Sequence, residues 1–217
     1  MNELSLFTNA FHHAAIGMAL VGTDGNWIKV NRSLCHIVGY SKEELLKKSF
    51  QSITHPEDLD VDLNYLRQML NGEIEYYQME KRYFHKKGNV VWVLLSVSCV
   101  CDQEKRPLYF ISQIQDITAR KEAEEIQKRL NAILEATTDF VATADTNGRV
   151  LYYNASARKM LGIDENQDIS TITIPDTHPE WAGKLIRNEA LPTAALKGVW
   201  NGETALLSLD GREIQVF

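Results

Sequence analysis

Long apolar runs are missing from this chain of 217 residues. No stretch approaches the roughly 18 consecutive apolar residues that a membrane helix requires, and no signal sequence opens the chain. We therefore expect this region to be soluble and to make no contact with a membrane, although a longer parent chain could carry an anchor.

A basic surface is missing as well. The chain has 23 Lys and Arg against 29 Asp and Glu, which gives a formal net charge of −6. Nucleic-acid-binding domains normally carry a basic stripe, whereas the basic residues here are scattered among acids. A nucleic-acid partner is not expected.

Cysteine is scarce, with only Cys35, Cys99 and Cys101. Three cysteines offer neither an even disulfide framework nor a CxxC clip, which indicates a reducing, cytoplasmic setting. Cys99 and Cys101 share one side of a predicted strand, and we interpret them as packed hydrophobes rather than metal ligands. No metal site is expected.

The usual catalytic motifs are absent. The sequence contains no P-loop, no GxSxG and no HExxH, and it offers no convincing pair of carboxylates. Asp58, Asp60 and Asp62 alternate along a predicted helix, and we interpret them as a solvated face. No catalytic residue is predicted, so any chemistry would belong to another domain of the parent protein.

What the chain does contain is a repeat of itself. Several residues recur 123 positions later: Gly25, Asn31, Gly39, residues 55–57 (HPE) and Gly88 return as Gly148, Asn154, Gly162, residues 178–180 and Gly211. Solenoid repeats run to roughly 20–50 residues, so this period predicts two copies of one domain. The second copy is shorter after its last shared glycine, and we expect it to lack C-terminal strands and to continue in a longer polypeptide.

The first copy reads as two strands of a hairpin, several short helices and then three strands, near 75–84, 90–101 and 108–116. Asn31 is expected to cap a helix that Gly39 ends. This order predicts an α+β fold, a five-stranded antiparallel sheet with helices on one face. The other face carries Trp92 and is partly apolar, so we expect the N-terminal helix or a partner subunit to cover it.

Between the copies lies a charged segment without Gly or Pro, residues 119–136. It carries an apolar seam at spacings of 4, 3, 4 and 3: Ala119, Ala123, Ile126, Leu130 and Ile133. Such a seam is typical of a coiled coil, and we favour a parallel homodimer; a helix packed on its own domain is the alternative.

At this point the residues resemble a known family. Asp24-Gly25 followed by Asn31, residues 38–41 (VGYS), 55–58 (HPED), Lys87-Gly88 and residues 116–118 (DIT) resemble the PAS, or sensory box, domain with its PAC motif. The resemblance implies a PAS domain at 1–118, a helical linker at 119–136 and a C-terminally truncated PAS domain at 137–217.

The resemblance also implies a role. The first copy is similar to PAS modules upstream of bacterial GGDEF diguanylate cyclases, and the second is similar to modules in such cyclases and in sensor histidine kinases. We expect a tandem sensory and dimerising region that relays a signal through its linker helix to a downstream output domain, a cyclase or phosphodiesterase or a histidine kinase. A purely structural dimerisation spacer is the alternative.

PAS domains can hold haem, flavin or a small metabolite, and the residues of this chain bear on each. Haem is disfavoured because His55 and His178 precede prolines at helix starts, where a capping role fits better. Flavin photochemistry is disfavoured because residues 47–52 (KKSFQS) lack the family's reactive cysteine and Ile114 stands where a glutamine is needed. A non-covalent flavin or a small uncoloured ligand stays open, and no bound cofactor is favoured.

Two groups of candidate site residues follow. The ligand-pocket candidates are Trp27, Asn31, Val93, Leu95 and Ile114. Asp116 and Thr118 are candidates for signal relay, because they stand where the last strand becomes the linker helix. Asp116 could accept from amides there and Thr118 could cap the helix, so that a shift in the sheet would move the helix. An ordinary cap without switching is the alternative.

Overall fold

The computed structural model describes residues 3–216 and, within that range, the side chains of all residues except 3, 4 and 7. The apolar C-terminal residue Phe217 lies outside the described part. The chain divides into two compact units, residues 1–125 and 126–217. The predicted linker forms one helix across this division, and each unit is described by itself below.

The first unit is a single antiparallel sheet with helices. Its elements are α1 (Glu3–His13), β1 (Gly17–Gly22), β2 (Trp27–Val30), α2 (Arg32–Val38), α3 (Lys42–Leu45), a 3₁₀ turn (Gln51–Ile53), α4 (Pro56–Leu70), β3 (Tyr76–Phe84), β4 (Val90–Cys101), β5 (Pro107–Asp116) and the start of α5 (Thr118–Ala136). The strand order is β2-β1-β5-β4-β3. The predicted α+β fold and its five strands are confirmed.

Local sequence signals account for the helix ends. The Asn31 side chain accepts from the amide of Leu34 and so caps α2, which ends at Gly39 with a left-handed φ of 75°. Nδ1 of His55 accepts from the amide of Glu57 at the start of α4. These caps are the ones that the sequence predicts.

The core of the first unit lies between the helices and one face of β4. Val91, Val93, Leu95 and Val97 point inward and are buried. On the other face, the charged groups of Arg82 and Lys121 each lie 5.3 Å from the ring of Trp92. The sequence predicts that the N-terminal helix or a partner subunit covers this face of the sheet, whereas α1 packs against α2. Long basic side chains can cover an apolar ring with their stems while keeping the charge in water.

The two cysteines near the end of β4 differ in exposure. Cys99 is half-buried against the core, but Cys101 is exposed. The interpretation of both as packed hydrophobes is therefore wrong for Cys101. The register shift between Val100 and Cys101 marks the place where the strand leaves the core.

The second unit repeats much of this order with several shorter elements and without a counterpart of α3. They are the end of α5, β6 (Ala142–Ala144), β7 (Val150–Tyr153), α6 (Ala155–Leu161), a 3₁₀ turn (Ile174–Thr177), α7 (Glu180–Leu185), a π-helical turn (Ile186–Ala190), α8 (Leu191–Lys197), β8 (Thr204–Leu207) and β9 (Glu213–Val216). The π-helical turn lies just before Pro192, which cannot donate a helical hydrogen bond.

The repeat holds at the level of strand register. Ala142 pairs with Tyr153 in the second unit as Ala19 pairs with Val30 in the first, at the same offset of 123. Thr204 likewise pairs with Val216 as Lys81 pairs with Val93. Counterparts of β1 to β4 are thus present among residues 126–216. None of the helices in the described part of the chain is long and apolar enough to cross a membrane.

Candidate sensory core and linker junction

A small cavity lies inside the first unit. Its volume is about 20 Å³, which is room for about one water molecule. The lining residues come from the sheet and the helices: Val21, Trp27, Phe50, Asp62, Leu66, Tyr77, Lys81, Tyr83, Leu95, Val97, Phe110 and Ser112. Two of the five pocket candidates, Trp27 and Leu95, are among them.

The other three pocket candidates are buried elsewhere in the core. The side chain of Asn31 already makes four hydrogen bonds, to the amides of Met18 and Leu34 and the carbonyls of Phe11 and Ile16. Val93 and Ile114 are fully buried strand residues. Asn31 therefore acts as a structural cap, and a contact from these three residues to a ligand in this cavity would require rearrangement.

An ion pair lies at the cavity. Nζ of Lys81 donates to Asp62 at 2.5 Å, and both side chains are 1% exposed. The hydroxyl of Tyr77 donates to the other oxygen of Asp62 at 2.6 Å. The ammonium also lies 4.4 Å from the ring centroid of Tyr83. One acid and one base are thus enclosed with aromatic hydroxyls and with Thr54, whose Oγ1 lies 3.4 Å from Nζ of Lys81.

The electrostatics favour the charged form of Lys81. Burial alone lowers the pKa of Lys81, but the oxygens of Tyr83 and Asp62 more than offset it, so the pKa is raised. Burial and the Asp62 carboxylate raise the pKa of Tyr77 well above its ordinary value. Tyr77 therefore stays protonated and donates its hydrogen bond.

The pair overturns the interpretation of the aspartates on α4. Asp62 is buried rather than solvated. Asp58 binds Nε of Arg82 at 2.9 Å, and that hydrogen bond lowers its pKa; Asp60 is exposed. The signal in the sequence was Lys81 itself. Its position on a strand of period two places it on the same inward face as Tyr77 and Tyr83.

One of the residues that line the cavity, Trp27, also has an unsatisfied donor. Nε1 of Trp27 has no hydrogen-bond partner although the residue is only 4% exposed. Buried indole nitrogens usually find a partner. This donor is available to a water or to an acceptor atom of a small ligand.

Neither haem nor flavin fits the cavity as it stands. Ligand pockets for molecules of that size measure roughly 300–1,000 Å³, against about 20 Å³ here. Nδ1 of His178 lies 2.7 Å from the carbonyl oxygen of Ile174, and His55 caps α4. Both histidines thus have the turn and capping roles that the sequence predicts.

The start of α5 is bound to β4. The Asp116 carboxylate accepts from the amide of Thr118 at 2.8 Å. Oγ1 of Thr118 accepts from the amide of Trp92 at 3.1 Å, and the amide of Ile117 donates to the carbonyl of Trp92 at 2.9 Å. Asp116 accepts an amide as expected. The expectation for Thr118 is wrong, because this residue is already the first of the helix and its hydroxyl reaches across to the neighbouring strand.

Charged residues add to this junction. Glu80 on β3 binds the guanidinium of Arg120 and, at 2.5 Å, the ammonium of Lys121. The hydrogen bond from Lys121 is the largest cause of the lowered pKa of Glu80. Sequence reasoning missed these contacts, since residues 40 positions apart give no local pattern.

The end of α5 is bound within the second unit. Nδ2 of Asn154 donates to the carbonyl of Leu134 at 3.0 Å. The Glu135 carboxylate accepts from the hydroxyl of Tyr152 at 2.6 Å and from the amide of Ala155 at 2.8 Å. Both ends of the helix are therefore held by hydrogen bonds to the unit in which they lie.

The apolar seam of α5 is open. Ile126, Leu130 and Ile133 are 60%, 51% and 58% exposed, and no residue of α5 is buried. Ala123 is exposed as well. The seam therefore does not pack on the helix's own domain, which was the alternative to a dimer.

Two models of the PAS fold match the chain. One matches residues 28–114 and the other residues 128–196. Together they cover most of both units, but α1 and β1 of the first unit and β8 and β9 of the second lie outside the matched ranges.

Curated relatives are signalling proteins. The chain is 50% identical over 124 residues to the probable diguanylate cyclase DgcE of Escherichia coli, covering 57% of this chain and 11% of that protein. It is 26% identical over 174 residues to the sensor histidine kinase TmoS of Ectopseudomonas mendocina, covering 80% of this chain and 17% of that protein. The chain thus spans less than a fifth of either relative's length.

Solved structures share the fold. A PAS domain from Colwellia psychrerythraea superposes with a TM-score of 0.51 at 19% identity, covering 54% of this chain and 99% of that one. The repeated strand pairs and both family matches lead to one conclusion: the chain belongs to the PAS family and carries two PAS domains in tandem, a sensory region resembling those of diguanylate cyclases and sensor histidine kinases.

Proposed function

We propose that this region senses a condition in its first domain and relays it through α5 to the second domain and to an output domain of the same protein. The observation that carries the proposal is the pair of attachments of one helix, Thr118 to Trp92 at its start and Asn154 to Leu134 at its end. A change in the sheet at β4 would act on the helix where it begins.

The first domain is the better candidate for the sensor. It encloses the Lys81–Asp62 pair and the free donor of Trp27. At the offset of 123, the second copy has Thr204 and Leu185 in place of Lys81 and Asp62. A small uncoloured polar molecule, or none, is the proposed occupant, and purified protein is expected to show no absorption band in the visible range.

The proposed output is a diguanylate cyclase. The identity of 50% to DgcE supports it more strongly than the 26% to TmoS supports a histidine kinase. We also propose that this region lies in the cytoplasm, forms a homodimer and divides into a first domain at 1–118, a linker at 119–136 and a second domain at 137–217.

A structural spacer is the second candidate. It is favoured by the small cavity, about 20 Å³, since a core that holds only a water has little to sense. In that case α5 would position the domains and dimerise without passing on a change.

Hydrogen exchange on the purified chain separates the two. Thr118→Val keeps the shape of the side chain but removes its bond to Trp92; Thr23→Val, in an exposed turn, is the matched control. The relay predicts faster amide exchange both in the first turns of α5 and in α6, which Asn154 caps. The spacer predicts faster exchange at the start of α5 alone, and that result would reject the relay.

A further inference from the structure

Two thiols meet at the exposed end of β4. Sγ of Cys99 lies 3.6 Å from Sγ of Cys101. The side chains share one side of the strand because they are two residues apart. Cys101 is exposed, whereas Cys99 packs partly against the core.

We infer that Cys99 and Cys101 form a reversible intramolecular disulfide, with the exposed Cys101 as the thiol that reacts first with a low-molecular-weight disulfide. The sulfurs would have to approach from 3.6 Å to about 2.05 Å. The register shift between Val100 and Cys101 interrupts regular pairing with β5 at this point, so the backbone is less constrained there.

The chemistry balances as two exchanges. The Cys101 thiolate attacks one sulfur of the small disulfide, forming a mixed disulfide and releasing one small thiolate. The Cys99 thiolate then attacks Sγ of Cys101, breaks the mixed bond and releases the second small thiolate. The two cysteines are oxidised by two electrons, the small disulfide is reduced, and the two protein protons leave on two small thiols.

The surroundings of the two thiols determine the order in which they react. Burial, and then the contact with Cys101, raise the pKa of Cys99 to about 11. Cys99 is therefore mostly protonated and a poor first nucleophile. It becomes effective only once Cys101 carries the mixed disulfide beside it.

The bond is expected to be easily reduced. A disulfide between residues two apart on a strand closes a short, strained ring, and strained or exposed disulfides have more oxidising potentials than structural ones. Reduced glutathione should therefore restore both thiols.

Peptide mass spectrometry tests the proposal. The chain is treated with oxidised glutathione, alkylated and digested with trypsin, which places both cysteines in the peptide 88–105. The expected product is this peptide without alkyl groups and lighter by about 2 Da, the mass of two hydrogens. Reduced glutathione should return it to the doubly alkylated form, and Cys35→Ser should behave like the wild type.

Two single variants test the assigned roles. Cys99→Ser should stop at a stable mixed disulfide on Cys101, and Cys101→Ser should leave Cys99 free and alkylated. A wild-type peptide that stays doubly alkylated, or that retains glutathione on Cys101, would overturn the disulfide. A mixed disulfide on Cys99 in Cys101→Ser, formed as fast as on Cys101, would overturn the order of attack.

Discussion

The side-chain amide of Asn154 donates to the carbonyl of Leu134, at 3.0 Å, as Asn31 donates to the carbonyl of Phe11, at 3.1 Å. The two donors are 123 residues apart (154 − 31), and so are the two acceptors (134 − 11). Phe11 lies in the last turn of α1 and Leu134 in the last turn of α5. The last turn of α5 is therefore the second domain's counterpart of the last turn of α1.

The other bonds of the two asparagines repeat as well. Oδ1 of Asn154 accepts from Val141 and Ala157, as Oδ1 of Asn31 accepts from Met18 and Leu34. One buried side chain thus joins a preceding helix, the first strand or the residue just before it, and the following helix in each domain. In the second domain the preceding helix is α5, whose first residue is hydrogen-bonded to β4 of the first domain.

Replacing Asn154 should therefore release the end of α5. Asn154→Asp keeps the side-chain oxygen that accepts from the first turn of α6. It replaces the NH₂ group, which donates to two carbonyl oxygens, with a carboxylate oxygen that cannot donate. Leaving a buried acceptor unpaired costs about 1–3 kcal/mol, so we expect the free energy of opening of the last turn of α5, measured by hydrogen exchange, to fall by about 1–3 kcal/mol. Asn131→Asp, exposed on α5, is the control, and equal protection in the two variants would contradict the role of Asn154.

The buried pair in the first domain gives a second prediction. Lys81→Met leaves the Asp62 carboxylate buried without its cation, which should lower the free energy of unfolding by about 3–5 kcal/mol. Urea unfolding followed by Trp27 and Trp92 fluorescence, in a background with Trp181→Phe and Trp200→Phe, measures this domain.

Two controls make the test specific. Lys86→Met removes an exposed ion pair with Glu44 and should cost less than about 1 kcal/mol. Lys81→Met combined with Asp62→Leu and Tyr77→Phe removes the ammonium, the carboxylate and the hydroxyl that donates to that carboxylate, and should recover most of the loss. If the triple variant is as unstable as Lys81→Met alone, an unpaired carboxylate is not the cause.

The fold followed from local signals, but the polar core did not. The caps at Asn31 and Gly39 and the strand 90–101 depend on neighbours in sequence, and the structure has them where they were predicted. Lys81 and Asp62 are 19 residues apart, and each alone resembles a surface residue. Only the inward register of β3 against α4 brings them together.

The linker junction shows the same limit. The sequence placed Thr118 at the strand-to-helix boundary, and the helix does begin there. Its hydroxyl could bond either to its own helix or to Trp92, which lies 26 residues away. That choice depends on the pairing of β4 with β5, which no local pattern specifies.

The coiled-coil interpretation of the α5 seam predicts that charged substitutions in the seam convert a dimer to a monomer. Ile126→Asp with Leu130→Asp places charges in the proposed dimer interface, at a cost of several kcal/mol. We expect light scattering to report a dimer for the wild type and a monomer for this variant. Gln127→Asp with Lys128→Asp changes residues outside the seam and should leave the dimer intact; a dimer in both variants would reject the coiled coil.

His178 should make the second domain sensitive to acid. Burial lowers its pKa below the ordinary value, while its hydrogen bond to the carbonyl of Ile174 only partly compensates. The unfolded chain, with an ordinary pKa of about 6.5, then takes up a proton that the folded domain resists. Stability is therefore fully present above about pH 6.5 and is lost as the pH falls from there towards the folded-state pKa.

Comparing the pH dependence of stability between variants separates the contribution of His178 from that of the other five histidines. Hydrogen-exchange free energies of α6 and α7, measured at pH 7.5 and 5.5 with correction for intrinsic rates, should fall with acid in the wild type. His178→Gln should lower stability at both pH values, because the bond to Ile174 is weakened, but it should flatten the dependence on pH. His36→Gln, on α2 of the first domain, should leave the slope in the second domain unchanged. A slope that survives in His178→Gln would assign the acid sensitivity to other groups, because only a group whose pKa differs between the folded and unfolded states makes stability depend on pH.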